Sequence, residues 1–292
     1  MLCAESENLE RGVNSKSFKS QKKMLNNWFA SPAKRIAKAV IFRSAVPCFW
    51  SKSANWGDAL TPHLVKLISG KPARYDENPF CWKHFVIGSI LDRADRYSII
   101  WGSGMIAPEA LPKAKPHAIH AVRGPLTRER LIQAGISCPA VYGDPALLLP
   151  RYFNPPRKVK WKLGVIPHYT DQNHPWVEAI RNQEAVNVIN IRSGIEEFVQ
   201  EVLSCESILS SSLHGLICAD AYGIPNRRIV LHNELIGADF KFNDYYAAMN
   251  SIPEAPLVPK PGESAADLIP AITRCSHNLD SDLLFEACPF RE

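Results

Sequence analysis

The chain has no apolar run approaching the roughly 18 residues that span a bilayer. Its opening, Met1-Leu2-Cys3-Ala4-Glu5, lacks the apolar core of a secretory signal, so the expected location is the cytoplasm. The eight cysteines form no Cys-x-x-Cys pair, which sets aside zinc ribbons and dithiol redox motifs. Without a secretory context, buried free thiols are expected instead. There is no P-loop. Gly102-Ser103-Gly104 has no third glycine opening a helix, which argues against a bound dinucleotide. Between Arg11 and Gly57 there is no acidic residue at all.

That stretch holds Lys16, Lys19, Lys22, Lys23, Lys34, Arg35, Lys38 and Arg43, interleaved with Phe18, Leu25, Trp28 and Phe29. Basic residues with embedded aromatics suit an anionic membrane surface. A solvated arm is the plain alternative. No nucleic-acid motif accompanies the charge, so nucleic acid is not expected as a partner. The remaining composition, 46% hydrophobic and 22% charged over 292 residues, is that of a globular chain able to bury a large core.

Strand-like and helix-like segments alternate from about Ala39. In the first half, Lys38–Phe42, Phe85–Gly88, Ser98–Gly102, His117–Val122 and Ala140–Gly143 read as strands. Asp58 or Thr61 could cap a helix through Leu64 and Ile68, stopped by Gly70, and Gly124-Pro125 opens another that stops at Gly135. The proline-rich, basic stretch from Pro150 to Lys162 reads as a linker. After it come strands at Leu163–Pro167, Ala185–Ile191, Glu206–Ser210 and Arg228–Leu231, with helices at Trp176–Gln183, Ile195–Leu203 and Ala265–Cys275. This alternation predicts an α/β protein with two Rossmann-like domains, parallel sheets and a site in the cleft between them. The boundaries are a basic arm over 1–37, an N-terminal domain over 38–152 and a C-terminal domain over 153–292.

The chemistry-bearing residues fall at predicted strand ends, where open α/β sheets bind ligands. Ser211, Ser212, Leu213, His214 and Gly215 follow one strand and open a helix whose free N–H groups favour an anion. On local grounds alone, Ser212 could equally be a helix cap and His214 a first-turn residue. His168 follows another strand of the same half, and two histidines so placed can converge. Arg123 precedes a helix start and suits a phosphate or carboxylate. Asn55 and Asp58 precede or open a helix, and Asp144 sits in a Gly-Asp-Pro turn.

Taken in order, Asn55-Trp56-Gly57-Asp58, Trp101-Gly102-Ser103-Gly104, Arg123-Gly124-Pro125-Leu126-Thr127, Gly143-Asp144-Pro145-Ala146, Ile166-Pro167-His168-Tyr169 and Ser211-Ser212-Leu213-His214-Gly215 resemble the polysaccharide pyruvyl transferase family. With Lys241-Phe242-Asn243-Asp244-Tyr245-Tyr246, the chain looks closest to the bacterial exopolysaccharide branch, the ketal-forming enzymes of xanthan-like polymers. The resemblance implies a GT-B-like fold. It implies phosphoenolpyruvate as donor and a hexose of a lipid-linked oligosaccharide as acceptor, met at the inner face of the membrane. The product is a cyclic pyruvate ketal.

The resemblance also implies roles. His214 is the main acid or base, and His168 the second participant. The donor falls to Arg123, Ser211, Ser212, Gly215, Gly102 and Ser103, and acceptor or loop support to Asn55, Asp58 and Asp144. No cofactor and no metal is expected, although phosphate chemistry leaves a divalent ion open. Some family members carry an arginine where this chain has Ser212, which shifts anion binding onto Arg123, the nearby backbone amides, or Arg227 and Arg228. A nucleotide-sugar glycosyltransferase of the same architecture and an inactive sugar-binding protein are the rival readings.

Overall fold

The computed structural model describes residues 44–53, 55–232, 239–251, 254–272 and 279–291. The basic arm over 1–37 and the expected strand Lys38–Phe42 lie outside these residues. Short segments of three to six residues become two fully parallel sheets. The first contains β1 (Val46–Phe49), β2 (Ala73–Tyr75), β3 (Lys83–Phe85), β4 (Ser98–Trp101) and β5 (Ala118–Ala121) in the order β2-β1-β3-β4-β5. The second contains β6 (Trp161–Ile166), β7 (Val186–Val188), β8 (Cys205–Ser210) and β9 (Asn226–Arg228) in the order β7-β6-β8-β9. The expected α/β class with two parallel sheets is therefore present. The first sheet follows the flavodoxin-like order, not the six-strand Rossmann one.

Both sheets switch direction of growth once, between β1 and β3 and between β6 and β8. Successive crossovers leave on opposite faces there, so a crevice opens outside the carboxyl ends of those strands. The residues that line the cavity described below come from such strand ends, from the loop after β4 or from one helix packed beside them.

The helices start and stop where local chemistry directs. Helix α1 (Trp56–Ser69) begins earlier than expected, its cap lying three residues before Asp58 and six before Thr61. Asn55 is its N-cap and accepts from the Asp58 N–H at 3.1 Å, while Gly70 ends it in the left-handed region. Helix α2 (Pro125–Gln133) has its proline in the first turn, where no N–H is missed. Then come α3 (Pro175–Ile180), α4 (Ile195–Leu203), α5 (Leu213–Ala221), α6 (Phe240–Ala248), α7 (Ala265–Leu268) and α8 (Ser281–Glu286). Among the described residues no helix is long and apolar enough to cross a membrane.

One apolar core joins the sheets. Cys48 of β1, Trp56 and Leu60 of α1, Ile166 of β6, Phe198 of α4 and Ile208 of β8 belong to it. Trp56 is fully buried, stacks at a tilt on Phe198 with ring centres 5.2 Å apart, and donates its ring N–H to the Ile195 carbonyl at 3.2 Å. Two C-terminal helices return to the first half as well. The Trp101 ring N–H donates to the Leu284 carbonyl of α8 at 2.8 Å, and Asp244 of α6 accepts from Thr127 of α2. Truncating a buried aromatic costs about 3–5 kcal/mol. An exposed pair such as Arg151–Asp282 contributes only about 0–1 kcal/mol. Apolar burial, and not surface charge, is thus what unites residues 46–292 into one compact unit.

The thiols Cys48, Cys138, Cys205, Cys218 and Cys288 are buried and form no disulfide. Burial pushes each of them up, away from the thiolate form.

Candidate functional site

The strand ends at the two switch points enclose a cavity of about 210 Å³. Ser51, Ser53, Asn55 and Asp58 reach it after β1, and Ser89 and Ile90 after β3. His168 and Tyr169 follow β6, and Ser212, Leu213 and His214 follow β8. Lys241, from the first turn of α6, completes the wall. The two histidines expected to converge therefore do line one cavity.

His214 sits half-buried in the first turn of α5. Its ring lies directly against Gly57, where a β-carbon would overlap Cγ and Nδ1. The Trp-Gly-Asp turn thus needs glycine for a steric reason. Its Nε2 stands 3.7 Å from Oδ2 of the buried Asp144. Gly215 likewise leaves room for Ser210, whose hydroxyl donates to the carbonyls of Ile166 and Ser212 and fixes the β8–α5 turn. Ser212 precedes α5 without capping it by its side chain, so the positive end of that helix faces the cavity uncancelled.

His168 is held by its backbone and its ring. Its N–H donates to Ser211 Oγ at 2.8 Å, and Nδ1 meets Thr170 Oγ1 at 2.7 Å. Ser211 in turn donates to the buried Asp171 at 2.6 Å. Asp171 also receives Thr170 Oγ1 at 3.1 Å and faces Nδ1 of His232 at 3.0 Å. Burial, followed by the Lys241 charge, lowers the His168 pKa to about 4, against the opposing pull of Asp171. His168 is therefore neutral at neutral pH and able to accept a proton.

Lys241 is the cation of this cavity. Burial, with the neighbouring Arg123 and Arg228, lowers its pKa to about 8, so it is charged at neutral pH and close to losing that charge. Asp58, whose charge acts on Lys241, accepts from the Ser53 hydroxyl and, at 2.5 Å, from the Asn55 amide. The cavity thus combines Lys241 and the α5 terminus with hydroxyls and the Asp58 carboxylate.

Several expected donor-binding residues lie behind this wall. Arg123 is 1% exposed and does not line the cavity. Its guanidinium pairs with Asp244 at 3.1 Å, donates to the Met105 carbonyl at 2.7 Å and reaches Ser89 Oγ at 2.5 Å. A buried carboxylate has taken the fork expected to hold the donor. Gly102, with φ of 90°, packs against Pro145, and Ser103 is fully buried. Ser211 is committed to His168 and Asp171. Arg227 pairs with Glu254, and Arg228 with Asp239. Asp144 caps the short 3-10 helix Pro145–Arg151 by accepting from the Ala146 N–H at 3.0 Å.

Comparison with known proteins bears on this cavity. A model of the family described as polysaccharide pyruvyl transferase matches residues 70–233, a stretch that includes both histidines and Asp144. The chain belongs to the polysaccharide pyruvyl transferase family. Asn55, Asp58 and Lys241 flank the matched stretch. The chain is 30% identical over 213 residues to an uncharacterized protein of Acanthamoeba polyphaga mimivirus, covering 68% of this chain and 71% of that one. It is 28% identical over 211 residues to the succinoglycan biosynthesis protein ExoV of Rhizobium meliloti (strain 1021), covering 68% of this chain and 63% of the relative. The match thus spans just under two thirds of ExoV. No solved structure matches.

Lys241 escaped assignment in the sequence. It stands in the quoted Lys-Phe-Asn-Asp-Tyr-Tyr motif, but no strand end points to it. Only the packing of α6 onto α2 brings it to the cavity.

Proposed function

We propose that this pyruvyl transferase takes pyruvate from phosphoenolpyruvate and forms a cyclic ketal on a hexose of a lipid-linked exopolysaccharide precursor. The observation that carries the reading is the meeting of Lys241, His168 and His214 in one cavity of a pyruvyl transferase family member. Phosphoenolpyruvate is a phosphate and a carboxylate on a three-carbon enol. Lys241 and the α5 terminus offer the positive charge it needs. Asp58, Asn55 and the serine hydroxyls offer acceptors and donors to a sugar diol.

His214, backed by a carboxylate, gives a proton to enol C3 and leaves an oxocarbenium centre at C2. A sugar hydroxyl adds to C2 and its proton passes to neutral His168. The C2–O bond to phosphate breaks, with phosphate taking the electron pair and the proton held by His168. The second hydroxyl then adds to C2, and its proton returns to His214. The balance is phosphoenolpyruvate plus diol giving ketal plus inorganic phosphate. The GT-B-like, interdomain description of the site belongs to this same proposal.

The test is mass spectrometry of lipid-linked oligosaccharides incubated with the protein and phosphoenolpyruvate. The expected product carries the mass increment of one pyruvate ketal and appears with an equivalent of inorganic phosphate. Transfer from a nucleotide sugar, with no increment from phosphoenolpyruvate, would replace this reading with glycosyl transfer.

The Lys241 assignment has its own pH signature. Charged lysine holds the anionic donor, so donor affinity is full below about pH 8 and is lost as pH rises through that value. The KM for phosphoenolpyruvate should therefore climb above pH 8. In Lys241→Arg, whose charge persists past pH 12 or so, the climb should vanish. A climb unchanged in the arginine variant removes Lys241 from the donor site.

A further inference from the structure

Asp144 has two carboxylate oxygens with different fates. Oδ1 caps the 3-10 helix through Ala146. Oδ2 is buried and makes no hydrogen bond, and the His214 Nε2 facing it at 3.7 Å is also buried without one. Buried polar atoms are nearly always paired. Two unpaired ones that face each other form an unfinished contact, and 3.7 Å is an ion-pair separation that becomes a hydrogen bond with a small ring movement.

We propose that Asp144 is the positioning residue of His214, holding a proton on Nε2 and balancing the imidazolium. This rests on the reading of His214 as the proton donor. The surroundings make the carboxylate necessary. Lys241 from α6 already puts a positive charge in the cavity, the His168 ring after β6 is neutral, and Asp58 from α1 is the carboxylate among the lining residues. Tyr245 of α6, close enough for Asp144 to help push its phenol up, is held as a neutral donor to Asp220 at 2.7 Å. Gly57 against the ring keeps Nε2 turned toward Asp144. Nδ1 is then the nitrogen that exchanges a proton with substrate.

Asn and Ser are both good cap residues, so Asp144→Asn and Asp144→Ser preserve the Oδ1 role. Neither carries the charge. Asn also presents an N–H to Nε2 and forces the proton onto Nδ1. The expected result is a melting temperature close to that of the parent, turnover lowered roughly 10²- to 10⁴-fold, and little change in KM for phosphoenolpyruvate. Nitrogen-15 spectra of histidine-labelled protein, with the His214 signal assigned by its loss in His214→Ala, should show the Nε2–H tautomer when the ring is neutral. In Asp144→Asn it should show Nδ1–H.

Parent-like turnover in both Asp144 variants, or an Nδ1–H tautomer in the parent protein, would overturn the proposal. Full turnover in His214→Ala would instead fell the reading of His214 on which it rests. The parent tautomer decides the matter for Asp144 even if both of its variants fail to fold.

Discussion

Replacing His214 with alanine should lower turnover roughly 10²- to 10⁴-fold, the range for loss of a positioned acid or base. Folding should survive. Alanine is the best helix former, and the position is the first turn of α5. The variant opens the cavity beside Gly57 and takes from Asp144 Oδ2 the imidazole that faces it at 3.7 Å, while the Asp144 Oδ1 cap on Ala146 is untouched. Steady-state kinetics beside a thermal melt check this. A melted variant, or one with near-parental turnover, would reduce His214 to a structural residue.

Arg123→Ala should act on the opposite axis. Removing one partner of a buried ion pair leaves the other charge desolvated, at a cost of about 3–5 kcal/mol. Here the orphan is Asp244, fully buried and also serving the N–H and hydroxyl of Thr127. The loss should appear in the midpoint of urea unfolding. Arg123→Lys should recover only part of it, because one ammonium cannot replace a fork shared among Asp244, Ser89 and the Met105 carbonyl. Since Asp244 lies three residues past Lys241 on α6, donor affinity should fall along with stability. Parental stability with a selective loss of phosphoenolpyruvate binding would restore Arg123 to the role of direct ligand.

The sequence was legible where the physics is local. Helix α4 occupies Ile195–Leu203 as its apolar spacing requires, and the Ser-Ser-Leu-His-Gly turn joins a buried strand to a helix. The residues at strand ends could be found because parallel sheets concentrate ligand chemistry there. Contacts set by distant partners could not. Nothing near Arg123 announces Asp244, 121 positions on, and nothing near Asp144 announces His214. No helix is assigned to α6 from the sequence, although Phe242, Tyr245 and Met249, spaced three and four apart, carry the signal for one. The short β2 strand, three residues at a sheet edge, lacks the length to be recognised.

Trp56, Gly57 and Asp58 give three neighbouring positions three separate duties: filling the shared core, clearing space for the His214 ring and lining the cavity. A helix advances about 100° per residue, so these duties are assigned by angular phase. Adding one residue before α1 would carry the Trp56 indole to the phase where Gly57 now clears the His214 ring, and the Asp58 carboxylate to the phase where Ala59 now faces solvent. The start of this helix therefore works as a reading frame. Substitutions can be absorbed one position at a time, whereas a shift in count garbles packing and chemistry together.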